Sequence, residues 1–204
     1  PDFDLKEKWT GRKGMLAALK NEKLRTPPGT KFVYSDIGFE ILGELVERIT
    51  GKPIDLFIGP NIFGRLGGKD SGFRRRSGTA EPVKLPGLAR IAPTENIRGQ
   101  RSYLGAKFEG DDSLGNQILQ GEVHDPTAFR MDGVAGHAGL FSTADDLARY
   151  CQVILNNGML DGKRVLSPQT VALMTRPVVV SEDGATRGLG WDMNTSFSSN
   201  RGEL

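Results

Sequence analysis

The sequence predicts a mixed α+β fold. Apolar residues recur every three or four positions along several stretches, most strongly over residues 37–49, and this spacing is typical of helices with one buried face. Short extended segments are predicted at residues 31–33 and 188–193, each next to turn signals. Hydrophobic residues make up 37% of the 204 residues and there are 27 glycines, a composition typical of a globular protein with many loops.

The clearest helix starts at Asp36 and ends at Gly51. Asp36 is a favourable N-cap, because its carboxylate can accept hydrogen bonds from the free N–H groups of the first turn, and a glycine is a typical stop signal. One face carries Ile37, Ile41, Leu42, Leu45, Val46 and Ile49, and the other carries Glu40, Glu44, Glu47 and Arg48. We therefore expect Ile41, Leu45 and Ile49 to be buried.

A tyrosine stands just before this helix. Pro27, Pro28 and Gly29 predict a rigid turn, and Tyr34 follows on the connection between that turn and the helix. Such a connection leaves a side chain little freedom, so we expect the Tyr34 hydroxyl to be accessible at the edge of a cleft. The alternative for an isolated tyrosine is a structural anchor with a buried ring.

Four further helices are predicted. They cover residues 13–20, residues 54–57, a segment that begins at Ser142 or Thr143, and a segment that begins after Ser167 and runs to about residue 175. The third has an apolar stripe, expected to be buried, of Leu147, Ala148, Cys151, Ile154 and Leu155. The thiol in that stripe is therefore expected to be buried and inert.

Short strands are also predicted around Ile91, Tyr103 and Phe108. The sequence shows no internal repeat and no linker, so residues 1–204 are predicted to form a single, partial domain.

Composition excludes several classes of partner. The 27 basic and 25 acidic residues nearly balance, so there is no electrostatic case for nucleic acid. A single cysteine excludes an internal disulfide and a cysteine-based zinc site. No apolar run of about 18 residues is present, so no membrane span is predicted. The run Arg74–Arg76 is interpreted as a solvated surface in preference to an anion site.

Several segments, in order, resemble one enzyme superfamily. The stretch Pro-Pro-Gly-Thr-Lys-Phe-Val-Tyr-Ser-Asp at 27–36, followed by a helix ending in Thr-Gly-Lys-Pro, resembles the second motif of the serine β-lactamases and penicillin-binding proteins. The match is to the class C-like branch, which includes D-Ala-D-Ala peptidases and β-lactamase-type esterases. Residues 62–73, 90–95, 123–126, 133–148 and 187–191 are also similar to segments of that family.

This resemblance implies a β-lactamase/transpeptidase-like fold and a serine hydrolase. The substrate would be an ester, a β-lactam or a D-amino-acid cell-wall peptide or amide, cleaved through an acyl-enzyme without a cofactor. Tyr34 would be the catalytic general base and Asp36 its orienting neighbour. The substrate-binding residues of the cleft would be His124, Asp125, Gly136, His137 and Ala138. The parent protein would be periplasmic or secreted.

Two catalytic motifs of the family are absent. No serine is followed three residues later by lysine, and no Lys-Thr-Gly or His-Thr-Gly occurs. We therefore expect a central fragment, with most of the helical domain and little of the antiparallel sheet, that is inactive alone. Asp36 in place of asparagine favours an esterase or peptidase over a β-lactamase, because a carboxylate donates no hydrogen bond. The alternative function is a non-catalytic module that binds peptidoglycan-like peptides.

His124 and His137 are the only histidines in the sequence. A metal site would combine them with Asp125 and Asp132, but their spacing matches none of the usual zinc patterns, so no metal is expected. The alternative to a cleft role is that each imidazole bonds a loop carbonyl.

Overall fold

The computed structural model describes residues 8–77, 87–97 and 118–198. Helices and short antiparallel strands occur together along the chain, so the α+β prediction is confirmed. The strands predicted around Tyr103 and Phe108 lie outside the described residues. The chain divides into two compact units, the first formed by Pro1–Glu22 with Tyr34–Asp146 and the second by Lys23–Val33 with Leu147–Leu204. That all of the chain forms a single domain stays a prediction.

The first unit packs helices against two small strand pairs. Its helices are α1 (Gly11–Leu19), α2 (Asp36–Thr50), α3 (Ile54–Ile58), α4 (Gly64–Leu66) and α5 (Pro126–Arg130), with a π-helical turn at Gly59–Phe63 and a 3-10 turn at Leu88–Arg90. Its antiparallel pairs are β1 (Gly72–Phe73) with β4 (Leu140–Phe141), and β2 (Pro93–Asn96) with β3 (Ile118–Gln120). Its core consists of Met15, Ile37, Ile97, Leu119, Val123, Ala128, Phe129, Met131 and Ala135.

The second unit has a similar mixture of elements. Its helices are α6 (Ala144–Leu155), whose first residues belong to the first unit, and α7 (Pro168–Thr175), with a 3-10 turn at Ser196–Ser198. Its strands are the pair β5 (Met159–Leu160) and β6 (Lys163–Arg164) and the antiparallel set β7 (Val178–Val179), β8 (Thr186–Arg187) and β9 (Asp192–Asn194). The segment predicted as one strand at 188–193 is therefore mostly the connection between two strands.

Helix α2 buries the face that the sequence pattern assigned to the outside. Ile41 and Leu45 are about half exposed and Ile49 is 76% exposed, whereas Glu40 is only 1% exposed. The prediction that these three apolar residues are buried is wrong. Charged side chains can be buried when they are paired, and the side of α2 that packs inward carries glutamates with partners. The described residues bury Ile37 of the apolar face and leave Ile41, Leu45 and Ile49 largely uncovered.

The sequence predicted the C-terminal end of α2 correctly and placed its N-cap one residue too late. The N-cap is Ser35, whose Oγ accepts from the Gly38 N–H at 3.0 Å, so the prediction of Asp36 as the cap is wrong. Ser35 has the extended backbone that a cap needs, and Asp36 is already helical. Gly51 ends the helix in a left-handed conformation, as predicted. The predicted turn is present at Pro27, whose carbonyl accepts from Thr30, but residues 31–33 form no strand.

The other predicted helices are present, but the burial assigned to α6 is wrong. Thr143 caps this helix, because its Oγ1 accepts from the Asp146 N–H at 3.1 Å. The residues predicted to form its buried stripe are exposed at four of five positions, Leu147, Ala148, Cys151 and Leu155, and partly buried at Ile154. The Cys151 thiol is thus exposed. As in α2, the described residues cover a different face from the apolar one, here at Val153.

The three consecutive arginines act as internal ties. Arg75 forms a bidentate pair with Asp55, at 2.7 and 2.9 Å, and this carboxylate is almost completely buried. Arg76 pairs with Glu122 at 2.9 Å and stacks on the Phe129 ring. The interpretation of Arg74–Arg76 as a solvated surface is therefore wrong for Arg75, whereas Arg76 is exposed while it makes these contacts. A buried carboxylate such as Asp55 requires a partner, and no sequence pattern shows which arginine supplies it.

Candidate functional site

A cavity of about 520 Å³ opens in the first unit. Its walls come from three loops, at residues 90–94, 123–125 and 138–143, together with Asp70. The first of these segments runs into β2, the second leads into α5, and the third contains β4 and its connection to α6. The structure thus brings together three segments that are far apart in the sequence, and a cavity of this size is typical of small-molecule sites.

Asp125 is held at this cavity by two hydrogen bonds to one oxygen. It is the N-cap of α5, where Oδ1 accepts from the Ala128 N–H at 2.8 Å, and the same Oδ1 lies 2.8 Å from Nε2 of His137. Burial alone would raise the pKa of Asp125, but the hydrogen bonds from His137 and from Ala128 lower it below its usual range. Asp125 is therefore a carboxylate in a fixed position.

His137 is a buried cation between two carboxylates. Its side chain is 6% exposed, and its Nδ1 lies 2.5 Å from Oε1 of Glu40 while Nε2 meets Asp125. Burial would lower the pKa of His137, but the hydrogen bond to Asp125 and the close contact with Glu40 outweigh that effect and raise it from 6.5 to about 10. The imidazolium therefore ties α2 to the first turn of α5. The alternative in which this imidazole bonds a loop carbonyl is wrong.

Gly136 allows this tie to form. A Cβ on Gly136 would lie 2.1 Å from the Phe39 carbonyl oxygen, so only glycine permits this approach of the loop to α2. Across the same contact, a Cβ on Gly43 would lie 3.0 Å from the Gly136 Cα. The Gly136 N–H also points to Oε2 of Glu40, at 3.4 Å.

The five predicted binding residues fall into two groups. His124, Asp125 and Ala138 line the cavity, whereas Gly136 and His137 lie against α2 behind it. Within the described ranges, no group of three or more histidine, cysteine, aspartate or glutamate side chains is arranged to hold a metal ion. Both ring nitrogens of His137 are taken by carboxylates, so it is not available as a ligand.

A second buried carboxylate, missed by the sequence analysis, supports the segment of the wall that contains Ser142. Asp146 accepts from the Ser71 hydroxyl at 2.7 Å and from the Asp70 N–H at 3.1 Å. The Ser71 Oγ lies 2.7 Å from the Ser142 Oγ, and Ser142 lines the cavity. Asp146 lies in the first turn of α6, where an acidic residue is common, and nothing in the sequence pattern connects position 71 with position 142. The sequence analysis also did not predict Glu40 as a site residue, because no pattern connects position 40 with position 137.

Tyr34 is half exposed and lies directly before the cap of α2. Its exposure agrees with an accessible hydroxyl, although the residues that line the cavity do not include it. Asp36 is the first residue of α2, where its carboxylate lies at the positive end of the helix dipole. The roles of Tyr34 and Asp36 stay predictions.

The sequence as a whole matches a known family. The family model described as Beta-lactamase matches residues 1–202. The chain belongs to the β-lactamase family. This confirms the resemblance to the serine β-lactamases and penicillin-binding proteins. The fold agrees as well, since the solved penicillin-binding protein from Bacillus halodurans covers 87% of this chain and 44% of its own length with a TM-score of 0.57, at 19% identity.

Two curated relatives are similar over most of the chain. An N-acetylmuramyl-L-alanine amidase of Bacillus subtilis (strain 168) is 39% identical over 171 residues, which is 83% of this chain and 36% of the relative. A protein of Salmonella schwarzengrund (strain CVM19633), provisionally named a D-alanyl-D-alanine carboxypeptidase, is 37% identical over 90% of this chain and 40% of its own length. The chain thus spans about two fifths of the length of these relatives. None of the described helices is long and apolar enough to cross a membrane.

Proposed function

We propose that this chain supplies the tyrosine motif and one wall of the substrate cleft to a serine hydrolase of the class C-like branch. The enzyme acts through an acyl-enzyme on a D-amino-acid peptide or amide, or on an ester. The observation that carries this proposal is the similarity, over at least 83% of the chain, to relatives whose names denote cleavage of amide or peptide bonds.

In this proposal Tyr34 is the general base. A phenol ionises near pH 10 in water, so a tyrosine that accepts a proton at neutral pH needs a nearby cation. In the family the lysine of the Ser-x-x-Lys motif fulfils that need, and the 204 residues contain no such motif. Asp36, one helical residue beyond the Ser35 cap, orients the tyrosine connection. The half-exposed position of Tyr34 supports this role because a proton acceptor must reach its substrate.

The test is Tyr34→Phe in the complete hydrolase that contains this chain. Loss of a general base lowers turnover on the order of 10²–10⁴-fold. The matched control is Tyr150→Phe, since Tyr150 stacks on Trp191 in the second unit, outside the cavity. We expect the control to keep its turnover. Equal turnover in the Tyr34 variant and the unmodified enzyme would remove Tyr34 from the mechanism.

A second candidate is a binding module of the same fold, which the absence of the Ser-x-x-Lys and His-Thr-Gly motifs from the complete protein would favour. Mass spectrometry of the 204-residue chain after incubation with a β-lactam separates two outcomes. We expect no adduct, because no serine here has a lysine to activate it. A stoichiometric adduct on any serine would show that the nucleophile lies within this chain. In the complete protein, peptide binding without acylation would favour the binding module.

A further inference from the structure

We propose that Asp146 is a positioning residue, which fixes two of the segments that line the cavity. The lining residues include Asp70 and Ser142 but not Asp146. Hydrogen bonds nevertheless join Asp146 to the first of them directly and to the second through Ser71. The inference rests on the proposed function only for its effect on catalysis, where the cavity is taken as the place of the substrate.

Asp146 lies at the third position of α6, where an acidic side chain can serve its own helix. Thr143 is the N-cap, and a carboxylate three residues after the cap commonly accepts from the N–H of the cap residue. The Asp146 carboxylate is directed elsewhere. Its Oδ2 accepts from the Ser71 hydroxyl at 2.7 Å and from the Asp70 N–H at 3.1 Å, donors that lie 75 and 76 residues away in the sequence.

Ser71 extends this connection to Ser142. In the antiparallel pair of β1 and β4, Gly72 lies opposite Phe141, and the same register continued by one position sets the two serines opposite each other. Their oxygens are 2.7 Å apart, and since Ser71 donates its only hydroxyl hydrogen to Asp146, Ser142 donates to Ser71. Each of these strands has only two residues, and so short a pair is marginal by itself. The bond between the serines therefore holds the wall where β4 ends.

Asp70 connects Asp146 to a second wall segment. Its N–H is bonded to Asp146, and its carboxylate accepts from the Arg90 guanidinium at 2.8 and 3.3 Å. Arg90 belongs to the segment 90–94, which runs into β2. An ion pair as exposed as this one contributes little by itself, so the place of Arg90 depends on the backbone of Asp70 being held.

The Asp146 carboxylate is held by neutral donors. It is 8% exposed, and no lysine, arginine or histidine that the structure describes pairs with it. The buried carboxylates of Glu40, Glu44 and Asp55, in contrast, each meet a histidine or an arginine. A buried carboxylate that loses its hydrogen bonds is costly. The two donors on the segment 70–71 are therefore kept next to Asp146, and the wall segments bonded to them are kept in place.

Amide hydrogen exchange on the chain as it stands tests this positioning directly. Asp146→Ala removes the acceptor of the Asp70 N–H, so exchange at this amide should become about tenfold faster, as expected for one lost hydrogen bond. Asp146→Asn keeps an oxygen that can accept from the same donors, so most of the protection should return. The matched control is Asp145→Ala, because Asp145 is exposed in the same helical turn. It should leave exchange at Asp70 unchanged, and unchanged exchange in Asp146→Ala would overturn the proposal.

Ser71→Ala decides the question if Asp146→Ala fails to fold. It removes the bridge to Ser142 and leaves the Asp70 N–H bonded to Asp146. We expect amides of residues 140–142 to exchange faster, while the Asp70 amide keeps its protection. Unchanged exchange over residues 140–142 would show that the short strand pair holds this wall without Asp146.

The complete hydrolase separates positioning from stability. With D-alanine p-nitroanilide as substrate, Asp146→Ala should raise KM about tenfold and change kcat by less than about threefold, because a displaced wall loses binding that ground state and transition state share. Asp146→Asn should recover most of this loss, and Asp145→Ala should match the unmodified enzyme. A residue that only stabilises the fold would lower the unfolding temperature and leave KM unchanged, which would overturn the proposal. Absence of turnover in the unmodified enzyme would refute the proposed function instead, and exchange at the Asp70 amide would still decide this inference.

Discussion

The two faces of helix α2 differ in which side chains are buried, the charged ones or the apolar ones. The inward face carries Glu40 and Glu44, each buried and each paired with a cation. The outward face carries Ile41 and Leu45, which the described residues leave about half exposed. At these positions charge is inside and apolar surface is half exposed, the opposite of what amphipathic patterning predicts, although Ile37 in the first turn is buried in the core.

The difference shows that the inward face is held by specific pairing. Glu44 meets both Arg12, at 2.6 Å, and Arg48, at 2.6 Å. Burial would raise the pKa of Glu44, but hydrogen bonds from Arg48 and Arg12 lower it. Glu40 meets the imidazolium of His137, which in turn holds Asp125 at the cavity. The charged face thus connects α2 to the candidate site, whereas on the apolar face Ile37 packs in the core and Ile41 and Leu45 stay about half exposed.

The sharpest test of this comparison uses adjacent residues on opposite faces. Glu40→Ala leaves a buried imidazolium with one carboxylate in place of two, and breaking such a pair costs about 3–5 kcal/mol of unfolding free energy. Ile41→Ala, at a position 47% exposed, should stay within about 0.5 kcal/mol of the unmodified chain. Urea unfolding of both variants measures the difference. Equal losses of unfolding free energy in the two variants would show that the ion pair of Glu40 adds no more stability than a half-exposed apolar side chain.

The contribution of His137 to stability should fall as the pH rises, because folding raises the pKa of this histidine. His137 has a folded pKa of about 10 against 6.5 in the unfolded chain, and it faces Glu40 from α2 and Asp125 from α5. Its contribution is complete below pH 6.5 and is lost as the pH rises towards 10. The stability difference between the unmodified chain and His137→Gln should therefore shrink over that window. A difference that grows with pH would contradict the assignment.

Much of the local structure could be predicted from the sequence, because its signals lie within a few residues. The start of α7 after Ser167 and the end of α2 at Gly51 follow from capping chemistry that a short window contains. The site depends on contacts between distant positions. Glu40 lies 97 residues from His137, and Ser71 lies 71 residues from Ser142, and no periodicity encodes either pair. The loops were located by resemblance, and the hydrogen bonds required the structure.

A smaller loss of stability is expected where α2 meets the loop that contains Gly136. Gly136→Ala places a Cβ against the Phe39 carbonyl, and overpacking of this kind costs about 1–3 kcal/mol. The matched control is Gly87→Ala, because a Cβ at Gly87 meets no atom within 4 Å. We expect the control to be neutral or slightly stabilising. Thermal unfolding of the two variants distinguishes them, and a neutral Gly136→Ala would mean that the loop approaches α2 less closely.

The smallest effect on stability is expected on the outward face. Leu45→Lys and Ile49→Lys together should change the unfolding free energy by no more than about 0.5 kcal/mol per site, since both side chains are exposed. Exposed apolar surface promotes self-association, so sedimentation velocity should show less association in the double variant. Association that persists unchanged would show that another surface is responsible.

The central claim is that a buried imidazolium ties α2 to Asp125 at the cavity, and the protonation of this imidazole can be observed directly. The chain has two histidines, so a nitrogen-15 correlation spectrum of the imidazole rings is simple, and His137→Gln identifies the His137 signals. At pH 8 we expect both ring nitrogens of His137 to carry protons, with titration only near a pKa of about 10. A ring nitrogen of His137 without a proton at pH 8 would contradict the account, because a neutral imidazole cannot donate to both Glu40 and Asp125.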